Sequence, residues 1–299
     1  EVGVQTTYER INREMHRGHG TQASIDANRR LRDAAFKVGF HMMPGQPGMS
    51  QEMCREDFRQ LFDSPDWRPD YLKIYPTLVV KGTRVYDMWK REDFDPLDNE
   101  TAADVVADAM NEIPKYCRLQ RVQRDIPADF IEGGVWKSNL RQLAQQRAEE
   151  KGYQIRDIRS REVGHNKEDP DPAEIQLDVL EYEAGGGTEK FISFEDPVRD
   201  LLVGFCRLRF PNDPVRRELE DAALVRELHV YGSPATFDGT AEGDWQHRGY
   251  GTQLVEKAEE LAADAGYRKL SIISGIGVRE YYREKLGYHQ DGPYVSKRL

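Results

Sequence analysis

Apolar and polar positions along the chain predict its elements before any motif is considered. Glu1-Val-Gly-Val-Gln5 reads as a short apolar strand that begins at once. From Thr21 to Val38 the residues Ile25, Leu31, Ala34, Ala35 and Val38 fall mostly at helical spacing, and Gly39 follows as the stop signal. Phe40-His-Met-Met43 is a second short strand, ending in the turn-forming loop Pro44-Gly45-Gln46-Pro47-Gly48. A helix follows over about 50–62, then a strand over Tyr71–Tyr75. This alternation predicts β/α units on a parallel sheet.

From about 82 to 125 the pattern turns helical. Thr101–Met110 is amphipathic, with Pro114 behind it, and Leu140–Lys151 forms another helix closed by Gly152. The remainder is rich in strands: Tyr153–Val163, Ile175–Tyr182, Phe191–Phe194, Leu201–Phe210 and Leu224–Tyr231, with Gly185-Gly-Gly187 as a hairpin turn. Tyr250, Leu254, Ala258, Leu261 and Ala265 then mark a strongly amphipathic helix ended by Gly266. A strand over Lys269–Ser274, a short helix over Val278–Leu286 and a closing strand at Gly287-Tyr288 finish the chain. The shift in pattern predicts two α/β domains, over 1–125 and 150–299, joined by a basic linker over 126–149.

Composition narrows the class. The chain has 299 residues, 38% of them hydrophobic, enough for two packed cores. A mean hydropathy of −0.77 and the lack of an apolar run near 18 residues exclude a transmembrane helix, so no membrane partner is expected. Cys54, Cys117 and Cys206 are too far apart for a disulfide framework or a C-x-x-C knuckle, which suits a reducing, cytoplasmic setting. The abrupt opening strand, without Met or polar leader, creates the expectation that the chain starts inside a domain of a larger protein. The net charge of −10 argues against RNA, yet residues 115–161 hold 11 Lys or Arg against 6 Asp or Glu. Such a stripe is a plausible phosphate footprint, a solvated linker face being the plainer alternative. Arg118, Arg121 and Arg124 recur every third residue and share a face if the stretch is helical; Lys137 and Arg141 complete the candidate set.

The most informative segment is Gln246-His-Arg-Gly-Tyr-Gly-Thr252, between a strand and the amphipathic helix. Glycines at the mouth of a helix let backbone N–H groups approach an anion, which the helix dipole also favours. The glycines alone leave an anion cradle and an ordinary loop as equal readings. The P-loop pattern is absent, and Gly275-Ile-Gly277 has Glu280 where a dinucleotide fingerprint needs its third glycine. Q-x-x-G-x-G after a strand and before a helix resembles the pyrophosphate loop of GCN5-related N-acetyltransferases. In such folds the preceding strand, here Arg226-Glu-Leu-His-Val-Tyr231, splays from its neighbour and offers backbone to the pantetheine arm. Glu227 and His229 alternate with Leu228 and Val230, so one face can be polar toward a cleft. On periodicity alone a half-exposed strand with a satisfied histidine has the advantage. Tyr281 or Tyr282 can donate a proton to the leaving thiolate, and helical geometry sends one to the cleft and the other to the core.

Taken together, both halves resemble the family of the catalytic subunit of Elongator, tRNA-wobble-uridine modifying enzymes with a radical-SAM domain followed by an acetyltransferase domain. The resemblance rests on Gly3-Val-Gln5, Asn12 to Gly20 with Arg17-Gly-His19, His41-Met-Met-Pro44, Leu72-Lys-Ile-Tyr-Pro-Thr-Leu-Val79 with Gly82-Thr83, and Arg121-Val-Gln-Arg-Asp-Ile-Pro127. It continues through Arg161-Glu-Val-Gly164, Arg226-Glu-Leu-His-Val-Tyr-Gly232, Gln246-His-Arg-Gly-Tyr-Gly251 and Ser274-Gly275 with Tyr281-Tyr282. It implies the carboxyl-terminal part of a radical-SAM (β/α) partial barrel before an acetyltransferase domain. It also implies acetyl-CoA, S-adenosylmethionine and a [4Fe–4S] cluster as cofactors, and carboxymethyl-type modification at C5 of uridine 34 in tRNA. Acetyl-CoA contacts carry over to Glu227, Leu228, His229, Val230, Gln246, Gly249, Tyr250, Gly251, Thr252 and Tyr282, and catalytic roles to Tyr281, Tyr282, Glu227 and His229. The family's C-x9-C-x2-C cluster motif has no match, so no metal ligand is expected in this chain, and Gln46 stands where relatives usually carry Leu. A protein lysine acetyltransferase acting without RNA, and a non-catalytic fragment that keeps acetyl-CoA and tRNA binding, are the alternatives. Elongator-like subunits or a second copy are the possible protein partners.

Overall fold

The computed structural model describes residues 1–123, 126–166, 168–231 and 249–299. The chain divides into two compact units, Glu1–Asn28 with Val38–Ile158, and Arg29–Lys37 with Arg159–Leu299.

The first unit carries strands β1 (Val2–Gln5), β2 (Gly39–Met42), β3 (Tyr71–Ile74), β4 (Val79–Val80), β5 (Arg118–Val122) and β6 (Ile131–Gly133). The first, second, third and fifth form a parallel sheet in that order, and β4 pairs antiparallel with β6. Helices α1 (Glu9–Glu14), α2 (Thr21–Asp33), α3 (Gln51–Asp63), α4 (Arg84–Lys90) and α5 (Asn99–Glu112) fill the crossovers, α2 ending in the second unit, and α6 (Leu140–Glu150) follows the last strand. Ser50, Thr83 and Asp98 each accept a hydrogen bond from the amide three residues on, and so start α3, α4 and α5. Phe40, Leu72 and Leu119 lie in register across the sheet and are buried together. Helix α2 stops earlier than Gly39. Ala35 adopts a left-handed φ of 68°, and the Phe36 amide donates back to Leu31 O at 3.0 Å, closing the helix as a glycine usually does. Gly39 instead opens β2, where a Cβ would collide with the Tyr71 ring.

Three further elements differ from the sequence reading, the first being the closing strand, which lies not at Gly287-Tyr288 but over His289–Asp291 and Tyr294–Arg298. The helix-like arginine spacing at 118–121 belongs to strand β5, whose Leu119 and Val122 are drawn into the core. The strand expected over Tyr153–Val163 is a turn and a short helix α7 (Ile158–Arg161). Asp157 accepts from the Leu119 amide at 2.9 Å and the Ile158 amide donates to Cys117 O at 3.0 Å, ties that a strand pairing cannot make simultaneously.

The second unit is a seven-stranded sheet of β7 (Gln176–Ala184), β8 (Gly187–Asp196), β9 (Leu201–Phe210), β10 (Ala222–Val230), β11 (Lys269–Ile272), β12 (His289–Asp291) and β13 (Tyr294–Arg298). The order is β12-β13-β11-β10-β9-β8-β7, antiparallel throughout except for the parallel β10–β11 pair. Gly185 and Gly186, both at positive φ, turn β7 into β8. Helix α8 (Tyr250–Asp264) covers one face, burying Leu254, Val255, Ala258 and Ala262 against Ile192, Cys206, Val225 and Leu270. The other face holds a buried charge cluster. Glu189 receives Arg32 at 3.0 Å, Arg209 at 2.9 Å and Arg226 at 2.8 Å, while Arg209 also holds Asp33 at 2.7 Å.

Candidate functional site

The site begins where two strands part. β10 pairs with β11 only over Ala222–Val225, and the Ile273 amide donates to Val225 O at 3.3 Å as a last link. Beyond it β10 runs on to Val230 with β9 as its only strand partner among the described residues. An extra residue between Val225 and Glu227 shifts the register against β9, and a bulge of this kind bends a strand away from its neighbour.

Helix α8 opens beside this gap. Its leading residue, Gly249, has φ 79° and offers no side chain to cap the helix. The first-turn amides of a helix have no intrahelical acceptors, so this mouth is suited to an anion. A Cβ placed on Gly251 would lie 3.3 Å from the Tyr281 hydroxyl and 3.7 Å from Val230 Cγ2, so the glycine, β10 and the tyrosine border one space. The Tyr281 hydroxyl is 3.2 Å from Thr252 Oγ1. Tyr281 opens a π-helical turn, Tyr281–Lys285, a conformation that often marks functional sites.

The paired tyrosines differ in burial, Tyr281 being half-buried at the margin of the core that holds Tyr282 and its ring 5.3 Å from that of Tyr282. Tyr282 is 5% exposed and packs edge-on against Tyr288, with ring centroids 6.0 Å apart. Burial pushes its ionisation far above the ordinary phenol range, with Cys206 and Tyr281 adding to the effect; the Cys206 thiol itself is pushed up to about 12, also by burial.

Alternation along β10 is as expected. Leu228 and Val230, opposite Cys206 and Gly204, pack against the core under α8. Glu227 and His229 lie opposite Arg207 and Phe205. The Glu227 carboxylate accepts from Arg207 Nε and Lys37 Nζ, both at 2.9 Å. Burial alone would raise its pKa, but the Arg207 and Lys37 charges outweigh that and hold it below the usual range. Glu227 is therefore an ionised, paired carboxylate and a poor proton acceptor. The His229 ring lies 4.4 Å from that of Tyr231 and stacks on Phe205 at 6.2 Å. Nothing in the sequence announced Lys37, 190 positions away from its partner. Gln246 lies outside the described residues.

The basic candidates occupy the first unit. Arg118 and Arg121 share a face, as expected, but by a different route. Gln120 is an extra residue opposite the Leu72–Lys73 step, so Arg118 pairs with Tyr71 and Arg121 with Lys73 on one side of the sheet. Arg121 is exposed. Arg141 donates to Leu119 O at 2.7 Å, which ties its guanidinium to β5, and Lys137 lies 3.6 Å from Glu100. Arg124 lies outside the described residues.

All three cysteines are buried free thiols. Cys54 Sγ accepts from the Gly45 amide at 3.2 Å, Cys117 precedes β5, and Cys206 lies in β9. Among the described residues no group of three His, Cys, Asp or Glu side chains is placed to hold a metal. These thiols do not fit a [4Fe–4S] cluster, which needs converging thiolates.

Comparison with known proteins agrees with this geometry. A Radical SAM C-terminal domain model matches residues 69–150 and an acetyltransferase (GNAT) family model matches residues 152–288. The chain is 48% identical over 306 residues to a tRNA uridine(34) acetyltransferase of Methanocaldococcus infernus, covering all of this chain and 57% of that protein. It is 43% identical over 308 residues to Elongator complex protein 3 of Saccharomyces cerevisiae, covering 55% of it. The chain thus spans little more than half the length of the curated relatives it matches. The solved structure of M. infernus Elp3 with an N-terminal deletion (1–46) superposes with a TM-score of 0.94 at 46% identity, over 99% of this chain and 71% of that one. The radical-SAM C-terminal part followed by an acetyltransferase domain, expected from sequence, is the fold, and the chain belongs to the Elongator complex protein 3 family.

Proposed function

We propose that this chain carries the acyl-CoA-binding and acyl-transferring part of a tRNA uridine(34)-modifying enzyme, and that it uses acetyl-CoA. The observation that carries the reading is the parting of β10 from β11 beside the glycine-lined mouth of α8. In this reading the amides of Tyr250, Gly251 and Thr252 receive the pyrophosphate. The backbone of Glu227–Val230 hydrogen-bonds the pantetheine amides in place of the missing strand. Acetyl-CoA supplies an activated acyl group, and its thiolate needs a proton on departure. Tyr281, its hydroxyl beside Thr252, is the tyrosine of the pair that serves this end, because the buried Tyr282 holds its proton too tightly. Tyr282 forms the wall behind the arm. Glu227 acts through Arg207 and Lys37 to fix the bulged strand, while His229 lines the same face of β10.

The tRNA partner is supported by the Arg118–Arg121 face and by the similarity to an archaeal tRNA uridine(34) acetyltransferase. S-adenosylmethionine chemistry is assigned no residue of this chain. Titration calorimetry with acetyl-CoA, paired with tRNA gel shifts at low and moderate salt, tests the proposal. Micromolar acetyl-CoA binding together with salt-sensitive tRNA binding is the expected result. Binding of neither ligand overturns it. Acetylation of a lysine peptide by the chain, with no tRNA binding, replaces it by the protein acetyltransferase reading.

A further inference from the structure

We propose that Ser274 is a substrate-binding and specificity-determining residue, whose hydroxyl donates to a carbonyl oxygen of the acylated pantetheine arm. This rests on the acyl-CoA reading above and adds a residue to it.

Strand β11 ends at Ile272, and the Ile273 amide makes the last link to β10 through Val225 O. Ser274 is the next residue, at the point where the strands separate. Its Oγ is shielded from solvent and, among the described residues, has no hydrogen-bond partner. Ser271, three residues earlier, shows what the same strand does where a neighbour is present: its hydroxyl, also buried, meets Ser296 Oγ of β13 at 2.9 Å. A buried hydroxyl left unpaired is destabilising, and an alanine would fill that position without the penalty. Unpaired buried polar groups in folded proteins call for a reason, and a ligand that completes them is one.

The chemistry of the gap identifies the ligand group. An extended arm entering between β10 and β11 takes the place of a strand and presents amide and thioester carbonyls along its length. A serine hydroxyl placed where the two strands separate can donate to one of them. The adenosine and phosphate end of the ligand belongs at the mouth of α8, so the hydroxyl should distinguish ligands that possess an arm from those that lack one.

The full chain and its S274A and S274T variants are titrated with acetyl-CoA, with CoA, and with adenosine 3′,5′-bisphosphate, which has no arm. Loss of one neutral hydrogen bond predicts S274A affinities for acetyl-CoA and CoA about 2- to 12-fold weaker, with the bisphosphate unchanged. S274T, which keeps the hydroxyl, should bind better than S274A. The unliganded S274A chain should melt no lower than the parent, and removal of an unpaired buried hydroxyl can raise its midpoint by about 2 to 4 °C. Opposite signs for stability and binding separate a ligand contact from a structural role. Parent-like affinity of S274A for both arm-bearing ligands overturns the assignment, as does equal loss for the bisphosphate or a lowered melting temperature. Failure of the parent chain to bind acetyl-CoA at all is the distinct outcome that removes the acyl-CoA reading beneath it.

Discussion

Replacing Gly251 separates the needs of the fold from the needs of the ligand. A β-carbon there would stand 3.3 Å from the Tyr281 hydroxyl and 3.7 Å from Val230 Cγ2. The nearer atom is the far end of a side chain that can yield a few tenths of an ångström. Alanine is also a better helix former than glycine by up to about 1 kcal/mol, an advantage diminished in a first turn. G251A should therefore fold normally, with a melting temperature within a few degrees of the parent. The pyrophosphate is less forgiving, because a methyl group beside the amide holds it away from the backbone donor. One hydrogen bond to a charged group is worth about 1.5 to 3 kcal/mol, which corresponds to about a 10- to 150-fold rise in Kd. G251V crowds the same space with two further carbons and should lose most of the affinity. Titration calorimetry with acetyl-CoA reads the loss, and circular dichroism with thermal melting confirms the fold. A folded G251V chain that binds acetyl-CoA as the parent does would show that the anion does not rest on these amides.

Three further outcomes follow from the same geometry. E227Q leaves Arg207 and Lys37 without their carboxylate and should destabilise the chain by about 1 to 3 kcal/mol in urea melts, a range reduced from that of fully buried pairs because Lys37 is half exposed. Because the Glu227 carboxyl is held below its ordinary value, its contribution is complete above the unfolded carboxyl range and is lost as pH falls through the folded value. The parent should thus keep its advantage over E227Q above the ordinary carboxyl value of 4.5 and lose it as pH falls below that value, and a pH-independent difference would contradict this. R118E with R121E should weaken tRNA binding alike for all tRNAs and flatten its salt dependence, by about one unit of log–log slope for each phosphate contact removed; unchanged slopes in gel shifts at graded salt would make this face a bystander. Anaerobic reconstitution of the chain with iron and sulfide should yield no stoichiometric cluster absorbance, since its three thiols are buried and do not converge; a stoichiometric cluster would refute that.

The parts of the molecule legible in sequence were those governed by local rules. Helices α3 and α5 have side-chain caps, α6 and α8 stop just before Gly152 and Gly266, all four carry apolar stripes of their own, and the hairpin at Gly185–Gly186 is a two-glycine turn. The tyrosine pair was legible as two residues in different surroundings, and only the packing of Tyr288 on Tyr282 shows which of them is the more deeply buried. What escaped depends on distant partners. Arginines at every third residue suggest a helix until Leu72 and Leu119 are seen in register, and one inserted residue then gives those arginines a common side on a strand. Ala35 stops a helix as glycine usually does, and no pattern rule selects an alanine for that backbone. Glu227 looked like a free polar group on a cleft-lining strand because its cations come from residues 37 and 207.

The charge cluster around Glu189 has a consequence for the order in which the protein can be made. Arg32 and Asp33 meet their counter-charges 157 and 176 positions later in the chain. At synthesis rates of about 5 to 20 residues per second, they wait on the order of 10 to 30 seconds for partners. Until the two segments meet, Arg209 lacks the Asp33 half of its carboxylate pairing and Glu189 lacks one of its three arginines. Completion of the second unit is thus a late event that draws back a piece of nascent chain made near the beginning. Proteolytic or genetic scission between residues 37 and 159 would leave the later fragment with buried Arg209, Glu189 and Arg226 lacking covalent access to Asp33 and Arg32. Complementation by a peptide spanning residues 29–37, rather than a simple truncation, is the appropriate way to ask whether that fragment can fold.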